Sequence, residues 1–151
     1  MSQTQIDPAA RKAWMSLLAK APAKRLADLW AQNGPSPEHQ FLRAPEVGAV
    51  MVRGRAGAKG AAFNLGEMTV TRCSVRLSTG ADGHAYVQGR DKDKATQAAL
   101  IDALMQTDQA ETIQTRIIDP LETEMKAGKA TRAAKAAATK VDFFTMVRGE
   151  D

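Results

Sequence analysis

Apolar residues recur every three or four positions through the first 33 residues, which is the spacing of helices with one buried face. One stripe follows Asp7-Pro8, the N-cap and first-position pair that favours a helix start. A second stripe follows Pro22 and ends at Asn33-Gly34. The two stripes consist of Trp14, Leu17, Leu18 and Ala21, and of Ala23, Leu26, Ala27 and Trp30. The sequence therefore predicts a short helical pair over residues 1–33.

From Val47 the apolar positions alternate, which is typical of strands with one buried face. The segment 34–42 is interpreted as a connector followed by a short irregular piece. The predicted strands are Val47–Arg53, Glu67–Ser78 and His84–Arg90. The turn residues 79–83 predict a hairpin between the last two, so we expect an antiparallel meander.

The helical period returns after Asp91 and continues through an alanine-rich run. Asp119-Pro120 predicts a kink or a new helix start, and Gly128 a helix end. Grouped strands between helices predict an α+β fold, with an antiparallel meander or hairpin sheet flanked by an N-terminal helical pair and C-terminal helices. We expect a single domain over 1–151, divided into a helical pair (1–33), antiparallel strands (45–90), helices (92–140) and a docking tail (141–151).

Composition limits the possible chemistry of this 151-residue chain, of which 44% is hydrophobic and 25% charged. A single cysteine, Cys73, excludes an internal disulfide and a multi-cysteine metal site. Two separated histidines, His39 and His84, offer little for a metal centre, so no metal site is expected. With no signal-peptide pattern and no apolar run of membrane-spanning length, we expect a cytoplasmic protein that does not contact a membrane.

Charge is unevenly distributed along the chain. Residues 43–90 contain seven basic and three acidic side chains, whereas residues 91–128 contain four basic and eight acidic ones. A basic segment of this kind attracts anions such as phosphates, or an acidic protein face. The excess of basic side chains is too small to indicate nucleic-acid binding.

The first candidate anion site is the glycine-rich loop after the first predicted strand. Gly54, Gly57 and Gly60 are spaced so that backbone N–H groups could face an oxyanion. Three cations accompany them: Arg53, Arg55 and Lys59. The loop lacks the Gly-Lys-Ser/Thr ending of a P-loop and the spacing of a dinucleotide-binding motif. A solvated loop between strands is the favoured alternative.

The second candidate site is one face of the predicted hairpin. A five-residue loop would place Arg76 opposite Tyr86 and Arg72 opposite Arg90, on the face that carries His84. The other face, with Cys73, Val75, Leu77, Ala85 and Val87, is predicted to be core. Arginine forks recognise phosphates and carboxylates, and opposed arginines would repel unless an anion or an acid separated them. Both an anion-binding or subunit-docking face and an ordinary solvated face remain open.

No catalytic constellation emerges from the remaining residues. Cys73 falls on the predicted core face, and neither histidine is placed to activate it. We therefore predict no catalytic residue and no activity for the isolated chain. The tail is notable because Phe143, Phe144 and Met146 must be buried either in this domain or against a partner.

Long segments resemble the G-subunit family of the bacterial carbon–phosphorus lyase core complex. The similarity lies in Pro45–Gly57, Phe63–Leu77, Gly83–Asp91, Asp119–Leu121 and the ending Ala136–Asp151. It covers nearly the whole chain, although the segment 1–12 and the Ala/Lys-rich run before the ending are not diagnostic.

The resemblance implies a role in organic phosphonate catabolism. It implies a non-catalytic subunit assembled with the H, I and J subunits, with the L subunit functionally associated. The complex transfers methylphosphonate to the ribose of ATP with loss of adenine, forming α-D-ribose 1-methylphosphonate 5-triphosphate. ATP would be a substrate of the assembled complex, and this chain alone would bind no cofactor.

Two roles follow for the basic residues under this resemblance. The arginine face and the 53–59 loop would either dock a partner subunit or add positive potential near the triphosphate. The competing hypothesis is a stand-alone module that binds small anions or nucleic acid through the basic segment 43–90.

Overall fold

The computed structural model describes residues 5–55, 57 and 60–148, with side chains described as far as Thr139. Five α-helices, one π-helical turn and three strands occur in these ranges. The helices are α1 (Pro8–Lys20), α2 (Ala23–Asn33), α3 (Lys92–Leu104), α4 (Ala110–Ile113) and α5 (Asp119–Arg148), and the π-helical turn spans Gln114–Ile118. The strands are β1 (His39–Arg55), β2 (Ala62–Leu77) and β3 (Asp82–Gln88). The grouping of strands between helices confirms the α+β prediction.

Local signals explain the N-terminal helical pair. The Asp7 carboxylate accepts a hydrogen bond from the Ala9 backbone N–H at 3.1 Å, and Pro8 occupies the first turn of α1. Pro22 stands between the helices as the N-cap of α2. Each helix buries one face, but the buried face of α2 includes Leu29, which lies outside the predicted stripe, and Trp30 of that stripe is only partly buried. The buried side chains of the two helices are those of Trp14, Leu18, Leu26 and Leu29.

The three strands form an antiparallel sheet in the order β1-β2-β3, but β1 is longer than the sequence predicts, and β2 begins at Ala62 and not at Glu67. The interpretation of 34–42 as connector and irregular chain was wrong from residue 39 onward, because His39 pairs with Leu77 and Phe41 with Val75. Register shifts between Phe41 and Glu46, around Pro45, interrupt the alternation that would reveal a strand. Proline is tolerated there because β1 is an edge strand.

The predicted hairpin exists, but its register was wrong by four residues. The strands are joined through residues 78–81, and Arg76 faces Asp82, Ser74 faces His84 and Arg72 faces Tyr86. An even shift leaves every side chain on its predicted face and changes only its partner. The predicted Arg72/Arg90 opposition does not occur, because the register places Tyr86 opposite Arg72. Arg90 follows Gly89, beyond the last residue of β3, Gln88.

The hydrophobic core lies between one face of the sheet and the helices. The predicted core face is confirmed, since Cys73, Val75, Leu77, Ala85 and Val87 are all buried. Helix α3 packs on this face so closely that a Cβ added to Gly83 would lie 2.0 Å from the Ala99 carbonyl oxygen. The predicted helical apolar positions Ala98, Ile101, Leu104, Met105, Ile113, Ile117, Ile118 and Leu121 are also buried.

The C-terminal helical region departs from the prediction at one position. α5 begins at Asp119-Pro120, but as a direct continuation of the π-helical turn, because Asp119 keeps the right-handed helical conformation. Gly128 does not end a helix, because α5 continues through it to Arg148. Side chains 129–139 are all exposed, so this half of α5 projects away from the core.

A second projection is formed by β1 and β2 beyond the end of β3. Gln88 pairs with Val70, and past that point residues 49–55 pair only with residues 62–69. We call this two-stranded ribbon the β-arm. Its seven residue pairs extend about 20 Å from the three-stranded sheet.

Candidate functional site

The arginines on the outer sheet face are held by carboxylates of the same chain. Arg76 donates from Nε and Nη2 to the two Asp82 carboxylate oxygens at 2.7 and 3.0 Å. Arg72 donates to Glu46, which also accepts from Arg43 Nη1 at 2.6 Å. Each of these guanidinium groups therefore faces a carboxylate, and the repulsion expected between Arg72 and Arg90 does not arise.

The electrostatics of this face follow from the same contacts. The pKa of Glu46 is lowered, first by its hydrogen bond with Arg43 and then by that with Arg72. The pKa of Arg72 is raised, first by the Tyr86 hydroxyl and then by Glu46. Arg76 lowers the pKa of Asp82. The lowered pKa values of Glu46 and Asp82 and the raised pKa of Arg72 favour their charged forms. Three arginines thus face two carboxylates on this surface.

The predicted anion-binding residues do not come together at one place. Arg72 and Arg76 lie on the outer sheet face, whereas Arg53 and Arg55 lie at the far end of the β-arm. Arg90 is exposed beyond the end of β3. Lys59 lies outside the described residues.

A serine–histidine contact is present that the predicted register missed. Ser74 Oγ lies 2.8 Å from His84 Nδ1, because the true register places the two residues opposite each other. Within the described ranges, no carboxylate hydrogen-bonds the other ring nitrogen, so a Ser-His-acid triad is not formed. Cys73 is buried, and burial raises the pKa of its thiol, which disfavours a nucleophilic role.

Asp102 is the functional-looking residue that sequence reasoning missed. It is fully buried in α3 and accepts hydrogen bonds from Arg11, from Trp14 Nε1 at 2.8 Å and from the His84 backbone N–H at 2.9 Å. The available signal was an aspartate directly beside Ile101, inside an apolar helical stripe. Its contacts tie α1, α3 and β3 together, which is a structural role.

Lys94 is a second buried charge without a catalytic partner. Its Nζ donates to the Ala19 carbonyl oxygen at 3.1 Å, and burial lowers its pKa. Across the part of the chain that the structure describes, no three histidine, cysteine or acidic side chains are grouped to hold a metal ion. No described helix is long and apolar enough to cross a membrane.

Large apolar side chains are exposed along the sheet, and of these the sequence predicted only Tyr86 on the outer face. Those in the β-arm are Met51, Phe63 and Leu65, and those on the rest of the sheet are Phe41, Leu42, Val47 and Tyr86. Val47 and Met51 pair with Thr71 and Glu67, so they continue the core face of the sheet past the helices that cover it. The predicted docking residues Phe143, Phe144 and Met146 fall in the last turns of α5, and their side chains lie outside the described ones.

Comparison with known proteins accounts for nearly the whole chain. The family model described as phosphonate metabolism protein PhnG matches residues 9–149. A relative from Rhizobium meliloti (strain 1021), named alpha-D-ribose 1-methylphosphonate 5-triphosphate synthase subunit PhnG, is 45% identical over 143 residues. That alignment covers 95% of this chain and 92% of the relative. The resemblance predicted from the sequence is thereby confirmed, and the chain belongs to the PhnG family of phosphonate metabolism proteins.

Proposed function

We propose that this chain is a non-catalytic subunit of an α-D-ribose 1-methylphosphonate 5-triphosphate synthase in phosphonate catabolism. The synthase would transfer phosphonate to the ribose of ATP with loss of adenine. The partners are the H, I and J subunits, with the L subunit functionally associated. The name of the Rhizobium relative supports the subunit role.

The observation that carries the docking part of this proposal is the β-arm. Met51 is 50% exposed and Leu65 is 62% exposed on a ribbon that no described helix covers. Met51 lies on one face of the ribbon, and Leu65, which approaches Gly54, lies on the other. Large apolar side chains exposed on an element that projects from a folded core are typical of a protein–protein interface. The arm therefore docks on another subunit, and burial of these side chains supplies the free energy of association.

The non-catalytic assignment is supported by the residues of the sheet face. Its arginines are paired with carboxylates, and Ser74–His84 has no acidic third member among the described residues. ATP is accordingly a substrate of the assembled complex, and this chain by itself binds no cofactor.

Co-expression with the H, I and J subunits, with a tag on this chain only, tests the assembly role. Affinity and size-exclusion chromatography should give one stoichiometric complex. A well-folded tagged monomer that leaves the other subunits behind would overturn the proposal and favour the stand-alone anion-binding module.

A paired-variant experiment tests the β-arm as the docking surface. Met51→Asp combined with Leu65→Asp should abolish co-elution, because two charges would be desolvated in the interface. Ala127→Asp combined with Ala130→Asp places two charges on exposed positions of α5 and should leave co-elution unchanged. Normal co-elution of the double variant would reject the arm as the interface while leaving the subunit role intact.

The role of the outer-face arginines is tested by measuring assembly of the complex and its ATP kinetics separately. We propose that Arg72 and Arg76 support binding of the ATP triphosphate by adding positive potential. Changing either to Ala should then raise the apparent constant of the complex for ATP while assembly stays intact. Loss of assembly, with normal ATP kinetics in the complex that remains, would assign these arginines to docking instead.

A further inference from the structure

We propose that the groove between α1 and β3 is a binding site for a small organic phosphate-type anion. The proposal does not depend on the subunit role, because it concerns this chain's own residues. The groove is open and has a volume of about 600 Å³, within the usual range for small-molecule sites. Its lining residues are Pro8, Arg11, Lys12, Met15, Ser16, Ala19, His84 and Tyr86.

Arg11 is the cation that the fold positions most firmly. Its Nε and Nη2 donate to the Asp102 carboxylate at 3.1 and 2.8 Å, which fixes the plane of the guanidinium. The side chain remains one-third exposed at the groove. Among the described residues nothing hydrogen-bonds Nη1, so this end of the fork can donate to a ligand.

The opposite wall of the groove holds an oriented imidazole, which donates from Nε2 when the Ser74 hydroxyl donates to Nδ1. Ser74 Oγ contacts His84 Nδ1 at 2.8 Å, which fixes the imidazole ring and leaves Nε2 without a partner in the described part of the chain. The backbone N–H of His84 is bound by the same Asp102 that holds Arg11. One buried carboxylate thus sets the relative position of the two walls.

The charge of the groove favours an anion. Lys12 adds an exposed cation beside Arg11, and none of the eight lining residues, all of them described, is acidic. The neighbouring carboxylates are already engaged, Asp102 by Arg11 and Asp82 by Arg76. A tetrahedral oxyanion presents acceptors in several directions and suits donors from two walls.

The apolar lining favours an organic group on that anion. Pro8, Met15 and Ala19 form the helical side of the groove, and Tyr86 is 54% exposed on the strand side. A free phosphate would leave these surfaces in water, whereas an organic phosphate or phosphonate would cover them.

Solution NMR titration of the full-length chain with phenyl phosphate at constant ionic strength tests the site. Saturable shifts should concentrate on Arg11, Lys12, His84 and Tyr86. Inorganic phosphate should bind more weakly because it lacks the organic group, and benzoate more weakly because it carries one charge fewer.

Variants with matched charge changes complete the test. Lys12→Glu should weaken phenyl phosphate binding at least fivefold, and His84→Gln at least twofold, without loss of fold because both side chains are exposed. Lys24→Glu changes the same charge on α2, outside the groove lining, and should stay within twofold of the parent. Three results would overturn the assignment. Lys12→Glu and Lys24→Glu could weaken binding equally, the chemical shift changes could spread over the basic surface, or benzoate could bind as tightly as phenyl phosphate.

Discussion

The guanidinium of Arg11 and the carboxylate of Asp102, 91 residues apart in the chain, form a two-point hydrogen-bonded ion pair at 2.8–3.1 Å. Asp102 is fully buried, and Trp14 and the His84 backbone add two further donors. A buried carboxylate is tolerated only when its charge and its acceptor sites are satisfied. This pair therefore fixes how α1 lies against α3 and β3.

Replacement of Asp102 by Asn should destabilise the fold by about 3 kcal/mol. Asn keeps the shape but removes the charge that Arg11 faces. The cost lies toward the lower end for broken buried pairs, because Arg11 is one-third exposed and water can reach it. Urea unfolding gives the change in free energy, and Asp108→Asn, at an exposed position, is the control. Equal stability of the two variants would refute the structural role of Asp102.

Replacement of Gly83 by Ala should cost about 1–3 kcal/mol or more through overpacking. The new Cβ would lie 2.0 Å from the Ala99 carbonyl oxygen and 2.7 Å from the Ala103 backbone nitrogen, so β3 and α3 must separate. Gly48→Ala is the matched control, because a Cβ there meets nothing within 4 Å. Thermal and urea unfolding should show a large loss for the first variant and little for the second. An unchanged midpoint for Gly83→Ala would contradict the close approach.

Acid should remove the stabilisation that Asp82 contributes. Because Arg76 lowers its pKa in the folded state, the folded chain binds this proton less readily than the unfolded chain. The contribution is fully present above the unfolded-state pKa and is lost as pH falls through the folded-state pKa. The stability difference between the parent chain and Asp82→Asn should therefore narrow as pH is lowered from 7 to 3. A difference that stays constant over this range would exclude the linkage.

Cys73 should resist alkylation while the chain is folded. Its side chain lies in the core, and burial raises the pKa of the thiol, which lowers the thiolate fraction at pH 8. Iodoacetamide labelling followed by mass spectrometry should show modification only when urea unfolds the protein. Rapid labelling under native conditions would place the thiol at the surface instead.

Local pattern was sufficient for the starts of α1 and α3 and for the buried face of β2 and β3. Asp7-Pro8 and Asp91 act through backbone groups two or three residues away, so their sequence neighbours already define the helix starts. Alternation identified the core face of β2 and β3 even though the predicted register was wrong, because the error was an even number of residues. The π-helical turn before Asp119 and the passage of α5 through Gly128 were not apparent from local pattern.

The candidate sites depended on partners that are distant in sequence. The register between β2 and β3 decides that Arg76 faces Asp82 and that Ser74 faces His84. A shift of four residues keeps each side chain on the same face of the sheet but changes its partner on the other strand. The β-arm arises because β1 and β2 extend beyond the end of β3. Phe63 and Leu65 are therefore exposed, although apolar residues that alternate with polar ones are typical of a strand with one buried face.

The sequence by itself determined the α+β class, the helix starts, the core face of the sheet and, through its long matching segments, membership of the PhnG family. Only the tertiary structure decided which charges are paired, which apolar side chains are exposed and that Asp102 joins α1 to α3 and β3. Periodicity and capping are properties of neighbouring residues, whereas pairing and burial depend on which distant segments the fold brings together.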